Sequence, residues 1–171
     1  MYKKSRQLTH AALIAALYVA LTYLQNFLVP GSTTMSIQFR VSEALCVLAL
    51  FTPAAIWGLS VGCLLFNLSY SAALPLDFLV GTLATTLACG SMYLTRKITL
   101  RKLPVLSLLM PAFWNALLVG WELAVYIGGG FWLNAMYVAI GEAAVLLILG
   151  SALYRVMQTR GLANRLFGPD R

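Results

Sequence analysis

The chain alternates between long apolar runs and short polar segments. A helix that spans a bilayer needs about 20 mostly apolar residues, and runs close to this length recur along the sequence. The predicted helices are Leu8–Val29, Met35–Phe51, Ala54–Tyr70, Leu76–Thr95, Val105–Ile127 and Trp132–Tyr154. The pattern therefore predicts an all-α integral membrane protein, with residues 1–171 forming a single transmembrane domain.

The second and third apolar runs are short, and only Thr52 and Pro53 separate them. They could form one kinked helix, which would leave five crossings. Basic residues decide between the two counts, because cytoplasmic loops collect Lys and Arg. With six crossings and a cytoplasmic N-terminus, all of the 12 basic residues except Arg40 lie on the cytoplasmic side. We therefore predict six transmembrane helices with both termini cytoplasmic and a tight turn at Pro53.

Composition agrees with a lipid environment. The chain is 61% hydrophobic and 10% charged, whereas soluble domains carry about 25% charged residues. The net charge of +7 is explained by orientation in a membrane better than by nucleic-acid binding. These values predict a multi-pass protein of the cell (plasma) membrane. The polar tail, Gly161–Arg171, is expected to fray.

Acidic residues occur inside the predicted helices. These acids are Glu43, Asp77 and Glu122 in the outer half of the predicted bundle and Glu142 near the middle of the sixth helix, while the basic residues other than Arg40 lie at the inner rim. An ionisable group within a membrane is costly and indicates a functional site. The distribution predicts an outward-opening polar pocket for a cation or for a molecule rich in hydrogen-bond donors.

The fifth predicted helix carries a polar stripe. One face of the helix contains Asn115, then Leu118 three residues later and Glu122 seven residues later. Two tryptophans, Trp114 and Trp121, flank this face. Carboxylates accept two N–H groups side by side, and indoles stack on rings. The stripe favours a flat, nitrogen-rich heterocycle as ligand.

Two further amides, Asn67 and Asn134, fall on the third and sixth predicted helices and are candidate ligand contacts. A purely structural interpretation stays open. Such amides often only bond a neighbouring helix, and Arg40 and Glu43 are spaced to pair with each other. Tryptophans are also common anchors at membrane interfaces.

Small residues form stripes on two helices. Ala12 and Ala16 lie on one face of the first helix, and Gly58 and Gly62 on one face of the third. Small side chains let helix backbones approach closely in lipid. The first stripe is a candidate docking face for another membrane protein, and the other is expected to pack internally.

Catalytic signatures are missing from the sequence. It contains no G-x-x-x-x-G-K-[ST] phosphate loop, no H-E-x-x-H and no G-x-S-x-G, and it has one histidine. We therefore predict that the chain is not an enzyme and holds neither a metal nor another cofactor of its own. Any ATP would be used by partner subunits.

A further signal lies in the sequence blocks Ile37–Leu45, Pro53–Leu59 and Gly62–Asn67, followed by Asp77 and by Gly81–Thr85. Together these blocks resemble the queuosine-precursor transporter family. The resemblance implies a six-helix, substrate-binding S component of an energy-coupling factor (ECF) transporter, which takes up a 7-deazaguanine derivative. It also implies partners: a transmembrane coupling subunit, docked at Ala12 and Ala16, and two ABC ATPase subunits. The loop Pro30–Gln38 would cap the pocket, with Gln38 as a candidate contact.

The predicted site combines these observations. Glu122, with Asn115, Asn67 and Glu142, would read the guanine-like edge, and Asp77 and Glu43 would attract a cation or hold the cap through Arg40. The remaining candidate contacts are Trp121, Asn134 and Gln38. Two rival functions stay open: an ion- or proton-coupled carrier that acts without an ATPase, and a scaffold protein with no saturable ligand.

Overall fold

The computed structural model describes residues 2–32, 39–70, 73–101 and 103–168. The described residues are helical apart from turns and one isolated bridge between Leu100 and Leu103. The α-helices are α1 (Tyr2–Leu28), α2 (Ala54–Ser69), α3 (Asp77–Thr95), α4 (Val105–Leu108), α5 (Met110–Tyr126), α6 (Phe131–Val145), α7 (Ser151–Thr159) and α8 (Leu162–Phe167). A 3-10 helix covers Val41–Leu50, and a π-helical turn, Leu146–Gly150, joins α6 to α7. The predicted all-α class is confirmed.

Within the described ranges, four helical segments are long and apolar enough to cross a membrane by length and composition: Lys4–Leu28, Asp77–Thr95, Val105–Tyr126 and Phe131–Thr159. The other two apolar segments, Val41–Leu50 and Ala54–Ser69, are shorter. Exposed Leu, Phe and Trp side chains cover the outside of the bundle. An apolar exterior of this kind is expected where lipid is the solvent.

The 3-10 helix lies at the centre of the bundle. It packs against α1, α2, α3, α6, the π-helical turn and α7, and every residue from Ser42 to Leu50 is buried. The sequence predicted an α-helix over residues 35–51 here, so the observed element is shorter and of a different type; residues 33–38 lie outside the described part. A 3-10 helix has three residues per turn and a tighter coil, which suits a segment enclosed by other helices.

Two predicted helices contain breaks. The fifth begins as α4, turns at Leu109, and continues as α5, where Pro111 occupies the first turn. Proline lacks an N–H and its ring clashes with the preceding turn, so the helical hydrogen bonding is interrupted at this point. The sixth predicted helix runs on past Tyr154 as far as Thr159.

Glycines set the closest contact between helices. A Cβ on Gly58 would lie 2.6 Å from the Ala11 carbonyl oxygen, and one on Gly62 would lie 3.0 Å from that of Ala15. The third-helix stripe therefore packs internally against α1. Because both pairs advance by four residues, α1 and α2 run parallel.

The consecutive pairs α2 with α3 and α5 with α6 run antiparallel. Ser60 on α2 bonds Thr86 on α3 at 2.7 Å, while Asn67, further along α2, donates to the carbonyl of Asp77 at the start of α3 at 2.9 Å. Gly120 of α5 packs against Ala135 of α6 in the same close manner as the α1–α2 pair. These contacts place the start of α3 beside the end of α2, and the first turns of α6 beside the last turns of α5.

The tail forms a helix instead of fraying. Ala163 and Phe167 on α8 are buried, and the Phe167 ring packs edge-on against His10 of α1 at a centroid distance of 5.3 Å. Arg6 donates to the Leu166 carbonyl at 2.9 Å. The prediction for residues 161–168 was wrong, because Phe167 and the Leu166 carbonyl contact the start of α1. The pattern along the sequence does not show this contact.

Candidate functional site

Five charged side chains are buried inside the bundle, and three of them lie near the starts of the 3-10 helix and α3. Arg40 and Asp77 are each 3% exposed, Glu43 and Glu142 are 1% exposed, and Glu122 is fully buried. Burying an ionised group is costly unless it is paired or hydrogen-bonded. The partners of each charge therefore decide its role.

Glu43 is satisfied within the protein. Its Oε1 accepts a 2.8 Å bond from the Tyr18 hydroxyl of α1, and its Oε2 accepts a 3.1 Å bond from the Cys46 thiol. Both oxygens have a donor, so Glu43 joins the 3-10 helix to α1. A role in attracting a cation, which the sequence suggested, has less support than this structural one.

Arg40 faces Asp77 rather than Glu43. One guanidinium nitrogen lies 3.6 Å from Asp77 Oδ2, an ion pair that links the start of the 3-10 helix to the start of α3. Asn67 supports the same corner through its bond to the Asp77 carbonyl. Asp77 Oδ1 and Asn67 Oδ1 are buried without a hydrogen-bond partner among the described residues.

Glu122 and Glu142 also carry oxygens without partners. Both carboxylate oxygens of Glu122 and the Oε2 of Glu142 are buried with no hydrogen-bond partner among the described residues. A buried oxygen of this kind requires a partner, which a proton, a bound water, an ion or a ligand can supply.

The amides predicted for the site divide into two groups. Asn115 is buried on the Glu122 face of α5, as the spacing predicted. Asn134 donates to the Gly128 carbonyl at 2.8 Å and so closes the turn between α5 and α6. Gly128 to Gly130 all have positive φ, a conformation that glycine adopts without strain.

Trp121 does not join the buried cluster. It is 48% exposed, because consecutive residues on a helix point about 100° apart and Glu122 faces inward. Trp114 is half-buried, and its indole N–H donates to Ser91 Oγ at 2.8 Å, which holds α5 to α3. The predicted aromatic wall is therefore not formed by Trp121. Gln38 lies outside the described residues.

Sequence reasoning missed a polar stripe on α1. Tyr18, Thr22 and Asn26 recur at intervals of four and are buried, with Thr22 bonded to Ser42 of the 3-10 helix at 2.8 Å. Their spacing was the available signal, since it marks one face of a helix. Gln25 also accepts from the Val41 amide at 2.7 Å. The C-terminal half of α1 therefore fixes the start of the 3-10 helix.

The alanine stripe lies on the outside of α1. Ala12 and Ala16 are exposed, while Ala15 faces α2. They line an open groove of about 650 Å³ together with Val61 and Leu65 of α2. The surface is shallow, apolar and made of small side chains, as a helix-docking face requires.

Metal chemistry has no support in the described ranges, where no three His, Cys, Asp or Glu side chains are grouped to hold an ion.

Comparison with curated proteins and with solved structures found no match. A family model does match: the QueT transporter model covers residues 8–159. The chain belongs to the QueT transporter family, and it is a multi-pass membrane transporter and not an enzyme.

Proposed function

We propose that this chain is the substrate-binding S component of an ECF-type importer and that it takes up a 7-deazaguanine precursor of queuosine. The observation that carries the proposal is the set of buried acceptor oxygens without donors: Asn67 Oδ1, Asp77 Oδ1, Glu122 Oε1 and Oε2, and Glu142 Oε2. They come from α2, α3, α5 and α6, so a ligand bound between these helices would meet acceptors from several of them. A ligand that supplies N–H groups would satisfy them.

A deazaguanine has the complementary chemistry. Its base edge carries a ring N–H beside an exocyclic amine, and one carboxylate accepts two such groups together. Glu122 is the best candidate, since both of its oxygens lack a partner. An aminomethyl substituent would add a cation, which the Asp77 and Glu142 carboxylates would attract.

Two further features support an S component. The exposed Ala12–Ala16 face is available for a coupling subunit. The sequence has no phosphate loop, so under this proposal two partner ATPases hydrolyse the ATP. The alternating helix directions and the basic residues at one end support six crossings with cytoplasmic termini. The short 3-10 helix still reaches about 20 Å over its ten residues, at about 2.0 Å each.

Calorimetric titration of the purified chain with a 7-deazaguanine tests the proposal. We expect saturable binding of one ligand per chain without ATP or partner subunits. A matched nucleobase, adenine, presents a different donor pattern and should bind far more weakly. An absence of saturable binding to any deazaguanine would remove the proposed substrate.

A proton-coupled carrier is the second candidate. The same unpartnered carboxylates, Glu122 and Glu142, favour it because each could take up a proton in place of a ligand donor. Proteoliposomes containing this chain alone distinguish the two functions. Substrate accumulation driven by a pH gradient would favour the carrier, while the S component requires the ATPase partners.

A further inference from the structure

The end of the bundle opposite the buried acids contains two adjoining cavities. The first, about 280 Å³, includes Tyr93, Arg96 and Lys97 at the end of α3. The second, about 590 Å³, includes Arg101 and Arg155. Tyr154 and Gln158 of α7 line both, so the two cavities form one basic cleft between the end of α3 and α7.

The geometry of the cleft holds its cations in place. The guanidinium carbon of Arg96 lies 3.6 Å from the centre of the Tyr93 ring, and stacking of this kind orients a guanidinium while leaving its N–H edges available. Arg101 has a φ of 49° in the tight turn closed by Leu100 and Leu103. A non-glycine residue in this strained region is a recurring feature of functional sites.

Acidic partners for these cations are distant in the part of the chain that the structure describes. Asp77 and Arg96 lie at opposite ends of α3, about 28 Å apart at 1.5 Å per residue. Glu43, Glu122 and Glu142 are enclosed in the other half of the bundle. The cleft therefore combines a concave shape with positive charge that no described carboxylate neutralises.

Hydrogen-bond donors complete the cleft. The Tyr154 hydroxyl accepts from Gln158 Nε2 at 3.0 Å and keeps its own proton to donate. Arg96, Lys97, Arg101 and Arg155 add charged donors. Arginine forks match the oxygens of a phosphate, and charge-assisted bonds of this type are stronger than neutral ones.

Exposed apolar side chains neighbour the basic residues along the chain, and we call these side chains the apolar rim. Leu94, Ile98 and Leu100 are 82%, 56% and 67% exposed and lie in or beside the segment that supplies Arg96 and Arg101. An acidic protein segment would not require such a rim, but the acyl chains of a lipid would. Basic pockets between helices at a membrane surface bind anionic headgroups.

We propose that the basic cleft binds the phosphate headgroup of an anionic phospholipid, with the acyl chains lying against the apolar rim. Arg96 and Arg155 contact the phosphate from the α3 side and the α7 side. The bound lipid links the two helices where the chain emerges from the bilayer. This site is separate from the buried acids and does not depend on the substrate proposed for them.

Native mass spectrometry of the purified protein in a neutral detergent tests the site. Phosphatidylglycerol is titrated against phosphatidylcholine with the same acyl chains. We expect saturable retention of phosphatidylglycerol and much weaker retention of phosphatidylcholine. Replacing Arg96 and Arg155 together by Gln should weaken phosphatidylglycerol binding about thirtyfold, at about tenfold per 1.4 kcal/mol and about 1 kcal/mol per basic residue.

A matched control removes the same charge at the same end. Arg160→Gln with Arg165→Gln changes two exposed arginines that are not part of the cleft, and it should leave binding nearly unchanged. Arg96→Lys with Arg155→Lys keeps the charge but loses the guanidinium forks, so it should restore part of the affinity that the Gln pair loses, which separates lost binding from misfolding. Gel filtration of each variant checks the fold.

Four results would overturn the proposal. If the two Gln pairs lowered the affinity for phosphatidylglycerol equally, the lipid would be attracted to the charged surface in general. If phosphatidylcholine bound as tightly as phosphatidylglycerol, the site would not distinguish the headgroups. If inorganic phosphate alone occupied the cleft as tightly as the lipid, a soluble anion would be the ligand. Binding of an acidic peptide in the absence of phosphatidylglycerol binding would assign the cleft to a protein partner.

Discussion

The buried carboxylates differ in what satisfies them. Glu43 accepts hydrogen bonds from Tyr18 and Cys46, whereas both oxygens of Glu122 are unpartnered in the described part of the chain. The sequence predicted that these acids lie within the bundle, but it could not separate their roles. The donors for Glu43 come from a different helix and from the next turn of its own, so only the folded arrangement distinguishes a structural acid from an available one.

The first prediction concerns Glu122. We expect Glu122→Gln to weaken deazaguanine binding by tens-fold or more, because removing one charged partner of a buried hydrogen bond costs about 2–5 kcal/mol. Calorimetry measures the change. Leu118→Val alters a half-buried neighbour on the same face without changing charge, and it should cost far less. An unchanged affinity of the Glu122→Gln variant would show that this carboxylate does not accept hydrogen bonds from the base.

The second prediction concerns Tyr18, which is fully buried. Tyr18→Phe removes the hydroxyl donor from Glu43 and leaves a buried acceptor unsatisfied, at a cost of about 1–3 kcal/mol in unfolding free energy. Thermal unfolding in detergent should show a lower midpoint. Tyr23→Phe is the control, because the Tyr23 hydroxyl bonds Ser69 from a side chain that is 39% exposed. If both variants unfold at the same temperature, the Tyr18–Glu43 hydrogen bond does not stabilise the packing of the 3-10 helix against α1.

At the scale of elements, periodicity predicted where helices occur better than which type they are. The 3-10 helix is apolar at most positions, so it has no polar face that would specify its period. Its enclosure by helices from distant parts of the chain determines its form. The break before α5 had a local signal in Pro111, whereas α8 depended on a packing site on α1.

The third prediction concerns the outer face of α1. Ala16→Trp should abolish uptake by the complete importer while deazaguanine binding to the isolated chain is retained, because a bulky ring prevents close helix approach. Ala12→Trp should behave in the same way. Leu17→Trp is the control, since Leu17 is also exposed but points about 100° away from Ala16. Normal uptake in both alanine variants would mean that the coupling subunit docks elsewhere.

On the scale of the whole molecule, charge distribution is the basis of the proposed topology. The basic residues at the ends of α3 and α7 lie far from the buried acids, and cytoplasmic loops collect Lys and Arg. The structure adds helix directions that a one-dimensional pattern does not contain. They follow from close contacts such as Gly58 on Ala11.

The fourth prediction tests that topology. In a variant without the native cysteines, Thr99→Cys should react with a membrane-impermeant thiol reagent only after the cytoplasmic side is opened, while Ile127→Cys should react from outside. Cys46 is replaced by Ser to preserve a donor to Glu43. Labelling of position 99 from outside in intact cells would contradict the six-crossing topology with cytoplasmic termini.

Recognition of a donor-bearing base by buried acceptors is the central claim, and comparing two ligands tests it most directly. Calorimetry of the unaltered protein with 7-deazaguanine and with 7-deazahypoxanthine, which lacks the exocyclic amine, removes one donor without changing the protein. Loss of a hydrogen bond to a charged group costs about 1.5–3 kcal/mol, so we predict binding about tenfold to a hundredfold weaker for 7-deazahypoxanthine. Equal affinities for the two ligands would contradict the account.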